Sequence, residues 1–256
     1  MKPASLRKRG RAMGHERDER KARNTLSEGA RRQFEILESV EKGQMVAVPK
    51  LCEALESNST FFSFSCLSGD HLNKELGYNL GILFTERRMR ATEKIFEQLG
   101  SRIIVFIDDT EPIRIWRWPT PQEEITEWCR MVVEDTAVPE SWDVRLWSET
   151  ESLSSLEYQK ILAEVRKPEH ALVVSRRLAH MREFPNRKIK DLRGKELEDA
   201  ARHRVAHYAL QGLVLEQIIP NGVLLQAETP WAVKDPLYQT LRVSSLPIIH
   251  PFEERR

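Results

Sequence analysis

Three carboxylates stand within four residues, directly after the most apolar stretch of the sequence. Asp108, Asp109 and Glu111 follow residues 102–107, RIIVFI, a continuous apolar run that predicts a strand buried on both faces. Carboxylates this close together repel one another unless a cation lies between them. A guanidinium suits them because its planar fork binds carboxylates bidentately, and Mg²⁺ is the competing ligand. An exposed acidic turn without a ligand is the remaining interpretation.

A serine-rich segment offers candidate nucleophiles. Residues 60–67, TFFSFSCL, have the pattern of a short strand, and residues 68–70, SGD, then indicate a turn. Ser65, Cys66 or Ser68 at the end of such a strand would present a nucleophile to a crevice. Serines are also common turn formers, so the pattern leaves a purely structural role open.

A basic helix is predicted over residues 75–99. Its cations are Arg87, Arg88, Arg90 and Lys94. Three of them share one helix face through steps of three and four residues, an arrangement suited to the phosphates of an RNA strand. The plainer interpretation is a solvated helix face.

His203 and His207 are four residues apart on another predicted helix, residues 196–219. That spacing can bind Zn²⁺, but no acid stands between them as in HExxH, and no third ligand is evident. We therefore interpret them as a pair on the helix surface and predict no metal. The same helix contains Tyr208 and Glu216, and the carboxylate of Glu216 lies in an apolar stretch where it would need an amine partner.

The predicted fold class is α/β, a Rossmann-like, mainly parallel sheet flanked by helices, because strands and helices alternate along the chain. Strands are expected over residues 60–67, 102–107, 143–147 and 223–226. Helices are expected over residues 28–42, 75–99, 121–133, 154–166, 171–184 and 196–219, with a short one from residue 49. The tail after residue 226 is predicted to be irregular. In such sheets ligands bind at the carboxyl ends of the strands, so residues 65–70 and 108–111 should meet at one edge.

The composition excludes several classes of protein. The chain has 256 residues, a net charge of +1, 40% hydrophobic and 31% charged residues, which is typical of a globular protein with a core. No apolar run approaches the roughly 18 residues that cross a bilayer. Three Cys without a CxxC argue against a disulfide framework. Neither GxGxxG after a strand nor GxxxxGK[ST] occurs, so we predict no nucleotide cofactor.

Charge is unevenly distributed along the chain. Residues 1–32 carry a net charge of +7 and the remainder −6. The N-terminus lacks an apolar signal region, which favours a cytoplasmic protein. We predict a basic flexible arm over residues 1–27, able to touch RNA phosphates, followed by a single α/β catalytic domain over residues 28–256.

Together these motifs resemble the tRNA-dependent cyclodipeptide synthases, most closely the fungal arginine-containing branch. The likeness covers roughly residues 58–245, from a strand that ends in Ser to a late helix with Glu and a Tyr beyond it. The segment GLVLE that ends at Glu216 is similar to the family's Tyr-x-x-x-Glu helix, with Gly212 in place of Tyr and Tyr208 one turn earlier. Tyr238 and the following Gln are similar to the family's Tyr-Gln pair, and the acidic cluster DDTE resembles an acidic motif of the arginine branch.

The resemblance implies a fold like the catalytic domain of class I aminoacyl-tRNA synthetases and an aminoacyltransferase that needs neither ATP nor a cofactor. Ser65 would accept the first aminoacyl group as an ester, Glu216 would hold the amine and help move its proton, and Tyr238 would orient the acyl-enzyme, with Tyr208 a further catalytic residue. The basic helix would bind tRNA, and the acidic cluster would bind the arginyl group. The substrates implied are arginyl-tRNA and a second aminoacyl-tRNA, and the product is an arginine-containing diketopiperazine of secondary metabolism.

Two other functions fit the same residues. A non-catalytic RNA-binding protein with a Rossmann-like core would keep the basic helix without needing Ser65 or Glu216. A Mg²⁺-dependent phosphoryl enzyme would use the acidic cluster as metal ligands. If the cluster instead serves the arginyl group, Asp108→Asn should lower the use of arginyl-tRNA far more than it lowers fold stability.

Overall fold

The computed structural model describes most of the predicted strands and helices. The described residues are 17–41, 48–66, 86–115, 117, 119–151, 155–183, 192–225 and 248–249. Only the backbone is described for residues 64–66, 86–88, 155–156, 180 and 248–249.

Within the described residues, five strands, all paired in parallel, form one sheet in the order β3-β2-β1-β4-β5. The strands are β1 (Thr60–Cys66), β2 (Ile103–Asp108), β3 (Trp142–Leu146), β4 (Gly222–Leu225) and β5 (Ile248–Ile249). Four of them confirm the predicted strands and the predicted parallel α/β class. The fifth lies in the tail that we predicted to be irregular, because two residues are too few to show a periodic pattern.

The described helices surround this sheet. They are α1 (residues 17–24), α2 (Glu28–Val40), α3 (Val48–Glu56), α4 (Glu86–Leu99), α5 (Glu111–Arg114), α6 (Gln122–Asp135), α7 (Trp147–Thr150), α8 (Ser155–Val165), α9 (Ala171–Glu183) and α10 (Gly194–Ile218). A 3₁₀ turn, Pro168–His170, precedes α9. The short helices α5 and α7 were not predicted, and both begin where a strand ends.

Alternate residues of the strands pack into two different cores. Phe62 and Phe106 belong to a core with α8, α9 and α10, whereas Phe61 and Val105 belong to a core with α2, α3 and α4. The sheet is therefore covered by helices on both faces, as a parallel sheet requires. α10 has 13 buried residues out of 25. Among the described residues, none of the helices combines the length and apolar character needed to span a membrane.

Glycine is required at two positions of this framework. Gly100 follows α4 with φ +64°, the left-handed conformation that commonly ends a helix. Gly222 opens β4 so close to its neighbours that a Cβ there would lie 2.7 Å from the Phe62 ring and 2.9 Å from the Ile219 carbonyl. A side chain at Gly222 would therefore push α10 away from the sheet.

Part of the predicted N-terminal arm belongs to the folded body. Residues 17–24 are helical, and Leu26 is buried in the core with α2 and α3. Arg23 forms an ion pair of 2.7 Å with Glu38 and lies 4.7 Å above the ring of Phe34. Residues 17–27 thus differ from the flexible arm that their charge predicted, and residues 1–16 lie outside the described residues.

Candidate functional site

The serine-rich strand β1 and the strand β2 that precedes the acidic cluster end at the same edge of the sheet. In the parallel register of β1 and β2, Ser65 is the partner of Ile107 and Cys66 is the partner of Asp108. The order of the strands reverses between β1 and β4, and open α/β sheets bind ligands at the carboxyl ends of strands at such a reversal. The structure therefore confirms that the ends of β1 and β2 meet at one carboxyl edge, whereas residues 67–70, including Ser68, lie outside the described residues.

The carboxylate of Asp108 is fully buried and bound on both oxygens. Oδ1 accepts hydrogen bonds from the backbone N–H of Thr110 (3.2 Å) and Glu111 (3.0 Å) and from the Thr110 hydroxyl (3.0 Å). Oδ2 accepts from Nε2 of His207 (2.7 Å) and Nε2 of Gln211 (2.6 Å). Burial alone would raise the pKa of Asp108, but the charge and hydrogen bond of His207, with the donors of Thr110 and Glu111, outweigh it and lower that pKa. The ionised carboxylate is thus occupied by donors of the chain itself.

Asp109 points to a different set of partners and has a structural role. Its Oδ1 accepts from the backbone N–H of Ser148 (2.9 Å), and its Oδ2 accepts from the hydroxyls of Ser148 (2.5 Å) and Thr126 (2.7 Å). Gln122 donates to the same side chain at 3.3 Å and to the Asp109 carbonyl at 3.0 Å. The residue therefore ties α6 and α7 to the end of β2. This arrangement contradicts its predicted contact with an arginyl group.

Asp109→Ala should lower the free energy of unfolding by about 3 kcal/mol or more, because it leaves several buried donors without their charged acceptor. The measurement is urea denaturation followed by circular dichroism. Asp143→Ala is the control, since the Asp143–Arg145 ion pair is exposed and such pairs contribute about 1 kcal/mol at most. Equal, small losses for both variants would show that Asp109 does not hold α6 and α7.

Glu111 differs from both aspartates because its carboxylate has no partner among the described residues. The residue is only 3% exposed and begins α5. The nearest cation along the helix, Arg114, is held by Glu151 in a bidentate ion pair of 2.7 and 2.8 Å. A buried carboxylate without a partner is unfavourable. Glu111 is therefore the carboxylate of the cluster that remains available for a cation.

The three carboxylates do not converge on one point. Within the described part of the chain, the only group of three potential metal ligands within 4.8 Å of one another is Glu164, Glu169 and His170. That group is at the surface, and the ammonium of Lys167 already lies 2.5 Å from Glu164. The carboxylates of Asp108 and Asp109 are directed to different partners, His207 and Ser148. The geometry opposes a magnesium site made by the acidic cluster.

A polar stripe with a step of four residues runs along α10. It consists of Asp199, His203, His207 and Gln211. His203 Nδ1 lies 2.8 Å from the Tyr158 hydroxyl, and burial lowers the pKa of His203. Our prediction of a histidine pair on the helix surface is wrong, because His207 is fully buried and the His203 side chain is only 16% exposed. The four-residue spacing of these polar residues along one helix was the signal that would have identified this stripe.

Tyr208 and Glu216 lie at different levels of α10. The Tyr208 ring is 6% exposed and lies 5.6 Å from the ring of His207, close to the carboxyl edge. Glu216 follows His207 by nine residues, about 13.5 Å along the helix. The chain then enters β4 at Gly222, which pairs with Thr60 at the start of β1. Glu216 therefore lies towards the amino edge of the sheet, away from the end of β1, and its role in holding the amine stays a prediction.

The remaining predicted residues are described only in part. Tyr238 lies outside the described residues. Arg87 and Arg88 lie in α4, where only their backbone is described, whereas Arg90 and Lys94 are exposed on that helix. Since α4 runs from the carboxyl edge back to the start of β2, its first half lies on the side of the sheet where β1 ends.

Known proteins are similar to this chain in structure rather than in sequence. No protein-family model and no curated protein sequence matches this chain. Solved structures of aminoacyl-tRNA synthetases match it, and the chain spans less than two thirds of the lengths of the three described below. The likeness describes the arrangement of helices and strands, and the α/β class itself follows from the sheet described above.

Three of these structures can be named. Tyrosyl-tRNA synthetase from Archaeoglobus fulgidus, complexed with L-tyrosine, is 17% identical over 85% of this chain and 63% of its own, with a TM-score of 0.49. Tryptophanyl-tRNA synthetase from Plasmodium falciparum is 9% identical over 88% and 60%, with a TM-score of 0.47. Tryptophanyl-tRNA synthetase from Giardia lamblia is 12% identical over 93% and 62%, with a TM-score of 0.42.

Proposed function

We propose that this protein is a tRNA-dependent aminoacyltransferase of the cyclodipeptide synthase type that uses arginyl-tRNA and a second aminoacyl-tRNA. The observation that carries the proposal is the meeting, at one carboxyl edge, of the Ser65 strand end and the buried Glu111, whose carboxylate has no partner among the described residues. A nucleophile and a cation-binding group at such an edge suit the transfer of a cationic acyl group.

The chemistry needs a nucleophile but no activation by ATP. The hydroxyl of Ser65 would attack the ester carbonyl of the aminoacyl-tRNA, and the tRNA ribose hydroxyl would leave with the proton. The amine of the second aminoacyl-tRNA would then attack the seryl ester, and closure of the dipeptidyl ester would release a diketopiperazine. Both later steps break an ester that is already activated, so positioning supplies most of the catalysis.

Glu111 supports the choice of an arginyl group. A guanidinium entering beside Glu111 would give this buried carboxylate a bidentate partner. Asp108 and Asp109 would contribute indirectly, because their oxygens already bind His207 and Ser148. The proposed arginyl contact thus rests on one carboxylate rather than on three.

The exposed cations of α4 support contact with tRNA. Arg90 and Lys94 are one helical turn apart and both exposed, so they are able to approach phosphates along one face. Arg90 lies in the first half of α4, on the side of the sheet where β1 ends, and Lys94 follows it one turn later. A tRNA acceptor end reaching Ser65 would therefore pass near them.

The proposal predicts new arginine-containing diketopiperazines in extracts of bacteria that express the chain. Mass spectrometry of the extracts tests it, and the mass of the product identifies the second amino acid. Purified protein incubated with arginyl-tRNA and other aminoacyl-tRNAs is the second arm. Soluble protein that forms no such product in either arm would contradict the proposal and would favour an RNA-binding protein without catalysis.

A further inference from the structure

His207 is fully buried, yet only one of its ring nitrogens has a hydrogen-bond partner in the part of the chain that the structure describes. Nε2 lies 2.7 Å from Oδ2 of Asp108 and so carries a proton, whereas Nδ1 has no partner among the described residues. The ring also packs edge-on against Tyr208, at 5.6 Å. A buried polar atom without a partner costs free energy, and an apolar side chain at this position would avoid that cost. The histidine is therefore explained by the hydrogen bond that it gives to Asp108.

Asp108 joins two separate parts of the fold through its two oxygens. Oδ1 accepts from the backbone N–H groups of Thr110 and Glu111, where α5 begins. Oδ2 accepts from His207 and Gln211, in the middle of α10. One carboxylate thus sets the position of the Glu111 backbone relative to α10.

We propose that His207 is a positioning residue that acts through Asp108 and holds the turn at residues 109–111 against α10. The turn then presents Glu111 to the arginyl group in a single geometry. Without the donor on His207, Oδ2 would keep only Gln211, and the turn would be free to shift. The benefit to arginyl binding rests on the proposed function, whereas the positioning of the turn does not.

Two substitutions at position 207 distinguish the effect of the hydrogen bond to Asp108 from the effect of side-chain packing. His207→Gln keeps an N–H donor at a reach similar to that of Nε2, and His207→Met has a similar volume but no donor. Val214→Ala is the matched control, because Val214 is also fully buried on α10 and its truncation weakens the core without touching Asp108. All three variants are compared with the unmodified protein by amide hydrogen exchange and by steady-state kinetics with arginyl-tRNA.

We expect His207→Met to speed amide exchange at residues 109–111 by roughly tenfold or more and to raise the KM for arginyl-tRNA by a similar factor. His207→Gln should restore both values to within about threefold. Val214→Ala should speed amide exchange throughout the core, with no larger effect at residues 109–111 than elsewhere. Rescue by glutamine is the result that a merely space-filling role of His207 would not produce.

Unchanged exchange at residues 109–111 in His207→Met, or equal defects in the Met and Gln variants, would overturn the proposal. Failure of the unmodified protein to use arginyl-tRNA would contradict the proposed function instead. In that case the exchange comparison alone decides whether His207 positions the turn, so the two failures are distinguishable.

Discussion

Ser65→Ala should abolish the acyl-enzyme and lower product formation by roughly 1,000-fold or more, because loss of a nucleophile removes the covalent route altogether. The acyl-enzyme is measured by intact-protein mass spectrometry after brief incubation with arginyl-tRNA. Product formation is followed by liquid chromatography of the diketopiperazine. The thermal midpoint should stay within a few degrees of the unmodified protein, since the substitution removes one oxygen atom at a strand end.

Cys66→Ala is the matched control for this experiment. Cys66 is the next residue of β1 and pairs in register with Asp108, so it shares the same edge and chain position. We expect the alanine variant at Cys66 to keep the acyl-enzyme. Loss of the acyl-enzyme in Cys66→Ala, with its retention in Ser65→Ala, would assign the nucleophile to the thiol. Retention in both variants would contradict a covalent intermediate on this strand.

Glu111→Gln should lower kcat/KM for arginyl-tRNA by roughly 30-fold or more, the equivalent of about 2 kcal/mol for a lost buried charge pair. The same variant should melt at the same temperature as the unmodified protein or higher, because the carboxylate has no partner among the described residues and is only 3% exposed. Activity and stability thus change in different directions. Kinetics with arginyl-tRNA and a thermal melt measure the two effects.

The control is Glu123→Gln, which makes the same chemical change at an exposed position near the start of α6. It should leave both the kinetics and the melt unchanged. Full use of arginyl-tRNA by Glu111→Gln would show that this carboxylate does not hold the guanidinium. A much lower melting temperature would instead assign Glu111 to the stability of the fold.

Asp108→Asn is expected to lower fold stability as well as the use of arginyl-tRNA. From sequence, we expected it to affect arginyl-tRNA far more than folding. The structure revises that expectation, because the fully buried carboxylate accepts five hydrogen bonds from the turn and from α10. An amide at this position replaces an acceptor with a donor that faces His207 or Thr110. Glu111 therefore replaces Asp108 as the residue on which arginyl selection is tested.

The strands, most of the helices and the shared carboxyl edge followed from local patterns. The run at residues 103–107 is apolar at every position, and the buried strand Ile103–Asp108 confirms what that implies. The helix predicted to end at residue 99 does end there, and Gly100 follows it with a positive φ. These features depend on neighbours within a few residues, and so a single sequence contains them.

The roles within the acidic cluster depended on partners far away in the chain. Asp108 binds a histidine 99 residues later, and Asp109 binds a serine 39 residues later. Arg114, which could have paired with Glu111, instead binds Glu151, 37 residues further on. The sequence shows three similar carboxylates side by side. Its composition and spacing also determined the α/β class and the edge of the sheet where a ligand would bind. Packing alone determined which carboxylate stays without a partner, because burial and hydrogen bonding are set by residues that meet only in the folded chain.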